Sequence, residues 1–393
     1  MVFLMADARD QRGPRGVGSD SSFATQAVPV GQQRAGQTGL SFDLASQGDS
    51  ATAFGKAILL GEHSVVYGKS AIAVALPGLA LRLSILPRQP GIQLASWDDA
   101  WNVSSADARR KIDAQTRSLL SQCLDLALRE SRIGRSLADF TPQPIRVESN
   151  FPMGAGLGGS AALCVATVRL VDAIARQHIP EQLLQSHRES ELQRAARLDA
   201  IFHGVASGID TATVLSEGLI EASGIGPERR FSEIANGKSF YIALVDSGAR
   251  SDTAAMVEKV RMLRKAQPIY VEEKIARLGE ISHAARFEIA EGRLDALGQR
   301  LNEAHEHLRD LGLSTPSLDR IVDELRELGA LGAKLTGSGG GGFALGLFRE
   351  YPVWVESYLP AKGAIYVSQV SQLAPEEIQR RYSPGEARTR QFD

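Results

Sequence analysis

Glycines concentrate in two short loops of this chain, and both loops lie beside apolar segments. The first glycine loop, residues 154–160, reads GAGLGGS and leads directly into the strongly apolar, helix-like segment Ser160–Arg176. A helix that begins after several glycines presents unpaired backbone N–H groups and the positive end of its dipole to an anion. Glycine also lets the backbone approach that anion without interference from a side chain. The first glycine loop therefore predicts a phosphate site, and a purely structural glycine turn is the alternative.

Two better-known nucleotide motifs fit the chain poorly. Three glycines of the first glycine loop satisfy the dinucleotide fingerprint G-x-G-x-x-G, but that motif follows the first strand of its fold and precedes, by ~20 residues, an acidic residue that ends a second strand. Here the loop lies in the middle of the chain, and the nearest downstream acid, Asp172, falls inside a helical segment. A Walker loop fails as well, because six residues separate Gly61 from Gly68-Lys69-Ser70 where the motif has four. ATP, if bound, is held without a Walker lysine.

The second glycine loop, residues 337–342, reads GSGGGG and joins the strand-like segments Ala333–Thr336 and Phe343–Phe348. One interpretation is a flexible hairpin. Consecutive glycines between buried strands more often indicate close backbone packing. We therefore expect this loop to pack against a ligand or against the first glycine loop.

Isolated polar side chains near these loops are the candidates for chemistry. Lys56 lies in the apolar strand-like segment Phe54–Gly61, and Glu62 and His63 follow directly. A lysine among apolar neighbours is poorly solvated, so we expect it to have an anionic partner. Asp210 ends a turn of small residues, where an aspartate can equally cap the turn or act in catalysis.

Composition disfavours several other classes of protein. Lys and Arg number 44 against 46 Asp and Glu, a formal charge of −2 that does not indicate a nucleic-acid-binding surface. Cys123 and Cys164 form neither a disulfide framework nor a C-x-x-C zinc motif, and we expect both to be small core residues. His305 and His307 are two residues apart near Asn302, so they do not share a helix face and do not predict a metal site.

The ends of the chain and its hydropathy bear on location. Residues 1–50 are rich in Gly, Ser, Gln, Asp and Arg without a sustained apolar period, and we expect them to be disordered. The apolar start at 1–5 is too short for a signal peptide, and no basic segment precedes it. The chain has no run of about 18 apolar residues, which disfavours a transmembrane helix and any membrane partner. We expect a cytoplasmic protein.

Hydrophobic periodicity predicts an α+β protein with mixed sheets, because strands and helices alternate irregularly. The predicted strands are Phe54–Gly61, Ser70–Leu86, Gly91–Ala95, Ile145–Ser149, Leu219–Ala222, Phe240–Asp246, Ala333–Thr336, Phe343–Phe348 and Ala364–Val370. The predicted helices are Ala106–Arg132, Ser160–Arg176, Glu181–Phe202, Ser251–Gln267, Tyr270–Glu291, Leu294–Leu311 and Ser317–Leu328. A polar stretch at Ser223–Lys238 suggests a boundary between two domains, 51–232 and 233–372, followed by a tail at 373–393.

Taken together, these segments resemble the GHMP kinase superfamily. Its three motifs occur in order, as KAILLGEH at 56–63, PMGAGLGGSAA at 152–162 and KLTGSGGGG at 334–342. Within the superfamily the chain is most similar to the mevalonate kinases. The finer signals are the spacing from Lys56 to His63, the segment HGVASGID at 203–210 and the segment LGLSTPSLD at 311–319.

The resemblance implies a two-domain fold, with an N-terminal ribosomal-protein-S5-like α/β domain and a C-terminal ferredoxin-like α/β domain. It implies phosphorylation of the C5 hydroxyl of mevalonate by ATP and Mg²⁺, a step of isoprenoid biosynthesis, in a homodimer that binds no nucleic acid. Two alternatives remain open, which are a GHMP kinase for phosphomevalonate or a related hydroxy acid and a catalytically silent sensor with the same fold.

The resemblance also implies roles for individual residues. Asp210 and Lys56 would be catalytic, with Asp210 accepting the proton of the hydroxyl and Lys56 offsetting charge on the transferred phosphoryl group. Ser160 and Asp199 would bind Mg²⁺. The residues that would hold the ATP phosphates are Pro152, Gly154, Ala155, Gly156, Leu157, Gly158, Gly159, Ser160 and Ala161. Those that would contact the substrate are Lys56, Glu62, His63, Asp210, Thr253, Gly339 and Gly340.

The chain departs from the pattern of the superfamily at three places. Gly159 occupies the position of the first serine in the usual Gly-Leu-Gly-Ser-Ser. Asp199 falls where the magnesium-binding glutamate is expected, with a side chain shorter by one methylene. The usual Asn-Pro before the Ser-Gly of the 203–210 segment is Val205-Ala206.

Overall fold

A computed structural model describes residues 49–87, 94, 96, 98–105, 114–131, 133–140, 142–178, 190–203, 208–356 and 364–374. The strands are β1 Ser50–Leu60, β2 Ala71–Ile85, β3 Trp101–Ser105, β4 Ile145–Ser149, β5 Leu219–Ser223, β6 Arg230–Ile234, β7 Phe240–Asp246, β8 Gly332–Thr336, β9 Phe343–Phe348 and β10 Ile365–Val370. The helices are α1 Ala114–Glu130, α2 Gly159–His178, α3 Glu191–His203, α4 Ile209–Ser216, α5 Thr253–Ala266, α6 Pro268–Ala290, α7 Leu294–Asp310 and α8 Pro316–Glu327. Strands and helices of both halves alternate irregularly, which confirms the α+β class.

The first sheet is organised around β2, which is long enough to pair with three strands. Its order is β3-β4-β2-β5-β6, and β1 pairs with β2 as well. The pairs of β2 are antiparallel, while β3 and β4 run parallel. The β1–β2 register shifts between Phe54 and Gly55, and Lys56 is the next residue along β1. This sheet therefore supplies Lys56 from β1, which pairs with the long strand β2.

The second sheet is antiparallel, in the order β10-β7-β9-β8. Helices α7 and α8 pack on β8, and α6 packs on α7. The approach of α7 to β8 is close, because a Cβ built on Gly332 would lie 2.0 Å from the Gly298 carbonyl oxygen. Glycine at both positions lets β8 lie directly on the helix, which places the second glycine loop at the end of a rigid strand.

Helix α2 occupies the interior of the first half. It packs on β1, β2, α1, α3 and α4, so apolar residues face every direction. Its buried residues include Ala161, Ala162, Leu163, Cys164, Val165, Ala166, Val168 and Leu170. Both cysteines are free and buried, as expected for core residues. The burial of α2 on all sides holds the first glycine loop, at its N-terminus, against the first sheet.

Three elements differ from the sequence-based expectation. β6 lies inside the polar stretch 223–238 that suggested a domain boundary, because its pairing with β5 outweighs its composition. Helix α4 begins at Ile209 and contains Asp210, and β3 pairs with β4. The periodicity of the sequence predicted neither α4 nor β3. Along the chain, β6 is the last strand of the first sheet, and β7, which begins at Phe240, is the first strand of the second sheet. The division into domains at residue 233 stays a prediction.

Several predictions fall partly or wholly on residues that the structure does not describe. They are the extension up to residue 48 that was predicted to be disordered, most of the predicted strand at 91–95, residues 106–113 of the first predicted helix, residues 181–189 of the third predicted helix, and the tail from residue 375. Across the described residues, none of the helices combines the length and apolar character needed to cross a bilayer.

Candidate active site

Lys56 and Asp210 form an ion pair between β1 and the first turn of α4. The Lys56 Nζ lies 2.8 Å from Asp210 Oδ1, and the two side chains are 6% and 38% exposed. Gly208, with φ of 77°, provides the left-handed residue from which α4 starts. Asp210 is thus the anionic partner that the burial of Lys56 requires, and its carboxylate remains open to a ligand on one side.

The first glycine loop lies directly on Lys56. The Lys56 backbone N–H donates to the Leu157 carbonyl at 2.9 Å, and a Cβ on Gly158 would lie 2.6 Å from Lys56 Cγ. Gly154 and Gly156 also have positive φ, but a Cβ on either would meet no atom within 4 Å. Glycine is therefore needed at Gly158 for contact with Lys56, and at the other two positions for backbone conformation beside open space.

The predicted phosphate-binding residues divide by exposure. Gly154 and Gly156 are exposed, and Ala155 and Ser160 are half-buried. The remaining members are buried behind them, namely Pro152, Leu157, Gly158, Gly159 and Ala161. A Cβ on Gly159 would lie 3.1 Å from Met153 Sδ, so Met153 fills the space that a serine side chain would use. The loop thus presents exposed backbone on a buried support.

A second acidic group lies beside this pair. Asp199, on α3, is 5% exposed, and its Oδ1 has no hydrogen-bond partner among the described residues. Burial raises the pKa of Asp199 and the nearby Asp210 raises it further, while His203, Ser160 and Lys56 lower it. These five side chains therefore belong to one site, although far separated in sequence.

His203 joins this site without having been assigned a role from the sequence. Its Nε2 lies 2.9 Å from Ser160 Oγ and 3.7 Å from Asp199 Oδ1. The signal that could have found it was its spacing of one helical turn from Asp199. The contact with Ser160 ties α3 to the first residues of α2.

The donor set of the site fits a magnesium ion. Asp199 and Ser160 offer a carboxylate and a hydroxyl, the hard oxygen ligands that Mg²⁺ prefers, and Asp199 Oδ1 is a buried acceptor without a hydrogen bond among the described residues. No group of three or more His, Cys, Asp and Glu among the described residues could hold a metal. Oxygens of a bound phosphate and of water would have to complete the coordination.

The second glycine loop packs against its own half of the molecule. A Cβ on Gly339 would lie 2.4 Å from the Leu313 carbonyl oxygen, and one on Gly340 would lie 2.7 Å from Met256 Sδ. The Gly340 N–H also donates to the Leu313 carbonyl at 2.7 Å. The expected close packing is present, but its partners are these segments and not the first glycine loop. The substrate contacts of Gly339 and Gly340 stay predictions.

Hydroxyl groups and His63 gather at Ser338 in this loop. His63 Nε2 lies 2.9 Å from the Ser338 carbonyl oxygen, so the ring donates its Nε2 proton there. Ser338 Oγ lies 2.7 Å from Ser251 Oγ and 3.2 Å from Thr253 Oγ1. Burial lowers the pKa of His63, which keeps the ring neutral near pH 7. The structure thus brings His63 and Thr253, from opposite halves, to one loop.

Glu62 lies in the interior of the structure. It is 1% exposed and forms an ion pair with Lys334 of β8, which is fully buried. This enclosure disfavours direct contact with a substrate, and the assignment of Glu62 as a substrate ligand stays a prediction. Lys334 was missed, although a lysine in an apolar strand is the same signal that identified Lys56.

Comparison with known proteins gives consistent similarities. The family model "GHMP kinases N terminal domain" matches residues 118–218, and "GHMP kinases C terminal" matches residues 286–362. Mevalonate kinase of Archaeoglobus fulgidus is 34% identical over 302 residues, covering 76% of this chain and 92% of that protein. Mevalonate kinase of Methanothermobacter thermautotrophicus is 32% identical over 297 residues, covering 75% and 88%.

Solved structures give the same similarity at the level of the fold. L. major mevalonate kinase in complex with R-mevalonate superposes with a TM-score of 0.67 at 26% identity, covering 82% of this chain and 96% of that one. Methanococcus jannaschii mevalonate kinase superposes with a TM-score of 0.61 at 21% identity, covering 84% and 99%. The ranges matched by the two family models include both glycine loops.

Proposed function

The chain belongs to the mevalonate kinase family of the GHMP kinases, and we propose that it transfers the γ-phosphoryl group of ATP to the C5 hydroxyl of mevalonate. The products are 5-phosphomevalonate and ADP, which places the reaction in isoprenoid biosynthesis. The observation that carries the proposal is the Lys56–Asp210 pair, formed at 2.8 Å directly beneath the first glycine loop. This pair joins a proton acceptor and a cation at the place where a phosphate fits.

Asp210 is suited to receive the proton of the attacking hydroxyl. Its side chain is 38% exposed, so a substrate can reach the carboxylate while Oδ1 stays bound to Lys56. As the new O–P bond forms, the hydroxyl proton passes to Asp210 and the bond from the γ-phosphorus to the bridging oxygen breaks. The ammonium group of Lys56 offsets negative charge on the transferred group. Alignment and charge compensation are most of what phosphoryl transfer requires.

The first glycine loop and the start of α2 are suited to hold the ATP phosphates. Exposed backbone at Gly154 and Gly156 and the half-buried Ser160 lie at the N-terminus of α2. The unpaired N–H groups and the helix dipole favour an anion there. No lysine of a Walker motif takes part, so the cation of the site is Lys56.

Ser160 and Asp199 are proposed to hold Mg²⁺ beside these phosphates. A bound Mg²⁺ would neutralise part of the phosphate charge and orient the transferred group. The half-exposed His203 fixes the Ser160 hydroxyl on one side, at 2.9 Å. Asp199, although shorter than a glutamate, has a buried oxygen that accepts no hydrogen bond among the described residues and lies 3.7 Å from His203 Nε2. The homodimer and the cytoplasmic location stay predictions.

The proposal is tested by a coupled ADP-release assay on the purified protein with mevalonate, phosphomevalonate, galactose and homoserine, each with and without Mg²⁺. We expect Mg²⁺-dependent turnover of mevalonate alone. Turnover of phosphomevalonate without turnover of mevalonate would identify the other kinase activity instead. Binding of ATP without ADP release from any of the four compounds would identify a sensor.

A further inference from the structure

A buried ion pair joins the two halves of the molecule, between the turn that follows β1 and the middle of β8. Lys334, in the middle of β8, is completely buried, and its Nζ donates to Glu62 Oε1 and, at 2.6 Å, to the Leu335 carbonyl. Glu62 lies two residues beyond the end of β1, and its Oε2 is buried without a hydrogen-bond partner among the described residues. The mechanism above uses neither group.

Stability alone gives a poor explanation of this pair. Removing two charges from water is costly, and apolar residues of similar volume at such a place are often as stabilising as the ion pair or more so. Burial raises the pKa of Glu62 and lowers the pKa of Lys334, as this cost requires. A charge pair at such a place does, however, define one geometry, because each buried charge is compensated by the other only when the two side chains meet.

Two further contacts connect the same two strand ends. Thr336 Oγ1 donates to the Ile58 carbonyl at 2.8 Å, and His63 Nε2 donates to the Ser338 carbonyl at 2.9 Å. Together with the ion pair they form a seam between β1 and the beginning of the second glycine loop. Along β1 the seam starts two residues after Lys56, whose own N–H binds Leu157 of the first glycine loop. β1 is therefore bonded to the first glycine loop and to the end of β8, and the turn that follows β1 is bonded to the second glycine loop.

We propose that Glu62 and Lys334 are positioning residues, which hold the second glycine loop at a fixed distance from Lys56 and the first glycine loop. The inference deepens the proposed function and rests on it for its catalytic consequence. A substrate that spans both halves needs the donors of each half at a set spacing, and a misplacement of about 1 Å costs on the order of 100-fold in rate. The ion pair supplies that spacing from behind the loop, out of contact with substrate.

The test uses the full chain with Lys334→Met, Glu62→Gln and the double variant Glu62→Gln/Lys334→Met. Lys334→Met leaves a buried, unpaired carboxylate and is expected to lower thermal stability. The double variant removes both charges and is expected to recover most of that stability. Hydrogen exchange of residues 337–342 should nevertheless be faster than in the wild type, and kcat for mevalonate about 10- to 100-fold lower, with the KM for ATP nearly unchanged.

Ser368→Ala is the matched control. It removes the 3.1 Å hydrogen bond from the Gly78 N–H to Ser368 Oγ, a bond that also joins the two sheets. Ser368 lies on β10, away from both glycine loops. We expect wild-type loop exchange and wild-type kcat in this variant. Loss of kcat there equal to that of the double variant would show a general effect of loosening the halves and overturn the proposal.

A folded double variant with either loop exchange or kcat at the wild-type value overturns the proposal. If the double variant does not fold, Glu62→Gln decides by the same readouts, since the amide keeps one hydrogen bond to Lys334 but loses the charge. If the wild type itself turns over no mevalonate, the proposed function has failed. Loop exchange in the double variant then still decides whether Glu62 and Lys334 position the loop.

Discussion

At the scale of single residues, the chemistry of the site depends on one pair with unequal exposure. Lys56 is nearly enclosed while Asp210 is about one-third exposed, so the cation is fixed and the carboxylate is available to a substrate. This asymmetry follows from position, because Lys56 lies within β1 beneath the first glycine loop and Asp210 lies at the beginning of a short helix. A base at the mouth of a site and a cation behind it is the order that proton removal and phosphoryl transfer require.

We predict that Asp210→Ala lowers kcat for mevalonate by about 10²–10⁴-fold, the usual contribution of a positioned general base. The dissociation constant of ATP should change little, because the first glycine loop does not bind through Asp210. Steady-state kinetics and calorimetric titration of ATP measure the two quantities. Asp310→Asn, which removes a surface carboxylate paired with Lys274 at 2.7 Å, serves as the control and should leave both unchanged. Near-normal turnover by Asp210→Ala would remove Asp210 from the mechanism.

At the scale of elements, the burial of α2 fixes the position of the first glycine loop, which precedes it. Because α2 is enclosed on all sides, the loop before it cannot shift without disturbing the core of the first half. That loop presses on Lys56 through Gly158 and leaves open space beside Gly154 and Gly156. The same short loop therefore sets the position of a catalytic side chain and leaves room for a ligand.

We predict that Gly158→Ala lowers kcat at least about tenfold, because the new Cβ would lie 2.6 Å from Lys56 Cγ and must displace Lys56 from Asp210. The positive φ of Gly158 adds about 1–2 kcal/mol of backbone strain. Gly329→Ala is the matched control, since Gly329 has φ of 91° and no atom within 4 Å of a built Cβ. It should lose similar stability in thermal unfolding with unchanged kcat. Equal kinetic losses in both variants would mean that strain and not Lys56 is responsible.

At the scale of the whole molecule, the second half contains a polar network behind its glycine loop. His305 is buried between α7, β8 and α8, where its Nδ1 accepts from the Leu335 N–H at 3.3 Å and its Nε2 lies 3.2 Å from Asp319 Oδ1. Burial lowers the pKa of His305 to about 4, with Lys334 and Arg326 also lowering it and Asp319 raising it. The folded protein therefore keeps this ring neutral at pH values where an unfolded chain would protonate it.

We predict that this ring makes folding pH-dependent between pH 6.5 and 4. The pKa is about 4 in the folded state, so the unfolded state binds the proton first as pH falls, and stability is lost on acidification through this window. The loss between pH 7 and pH 5 amounts to about 2 kcal/mol. Urea denaturation of the wild type and of His305→Gln at both pH values measures it, since glutamine keeps an acceptor and a donor without titrating. Equal pH dependence of the two proteins would contradict the prediction.

Local patterns were sufficient for the regular elements and for the candidate chemistry. Hydrophobic patterning predicted Ile145–Ser149, Phe240–Asp246 and Phe343–Phe348 with the bounds that the structure has. The solvation argument for Lys56 required an anionic partner, and the resemblance in three ordered motifs indicated the fold and family. These inferences succeed because burial of one face, glycine conformation and motif order are all properties of short segments.

Tertiary structure decided which distant groups meet. The sequence contains a lysine in each of two apolar strands, of which the sequence analysis singled out Lys56 alone. Only the packing of α4 on β1 brings Lys56 to Asp210, and only the meeting of the two sheets brings Lys334 to Glu62. For the same reason the sequence did not predict β6, because its strand conformation depends on pairing with β5. Short segments encode what must be buried or paired, whereas the choice of partner depends on contacts between segments far apart in the chain.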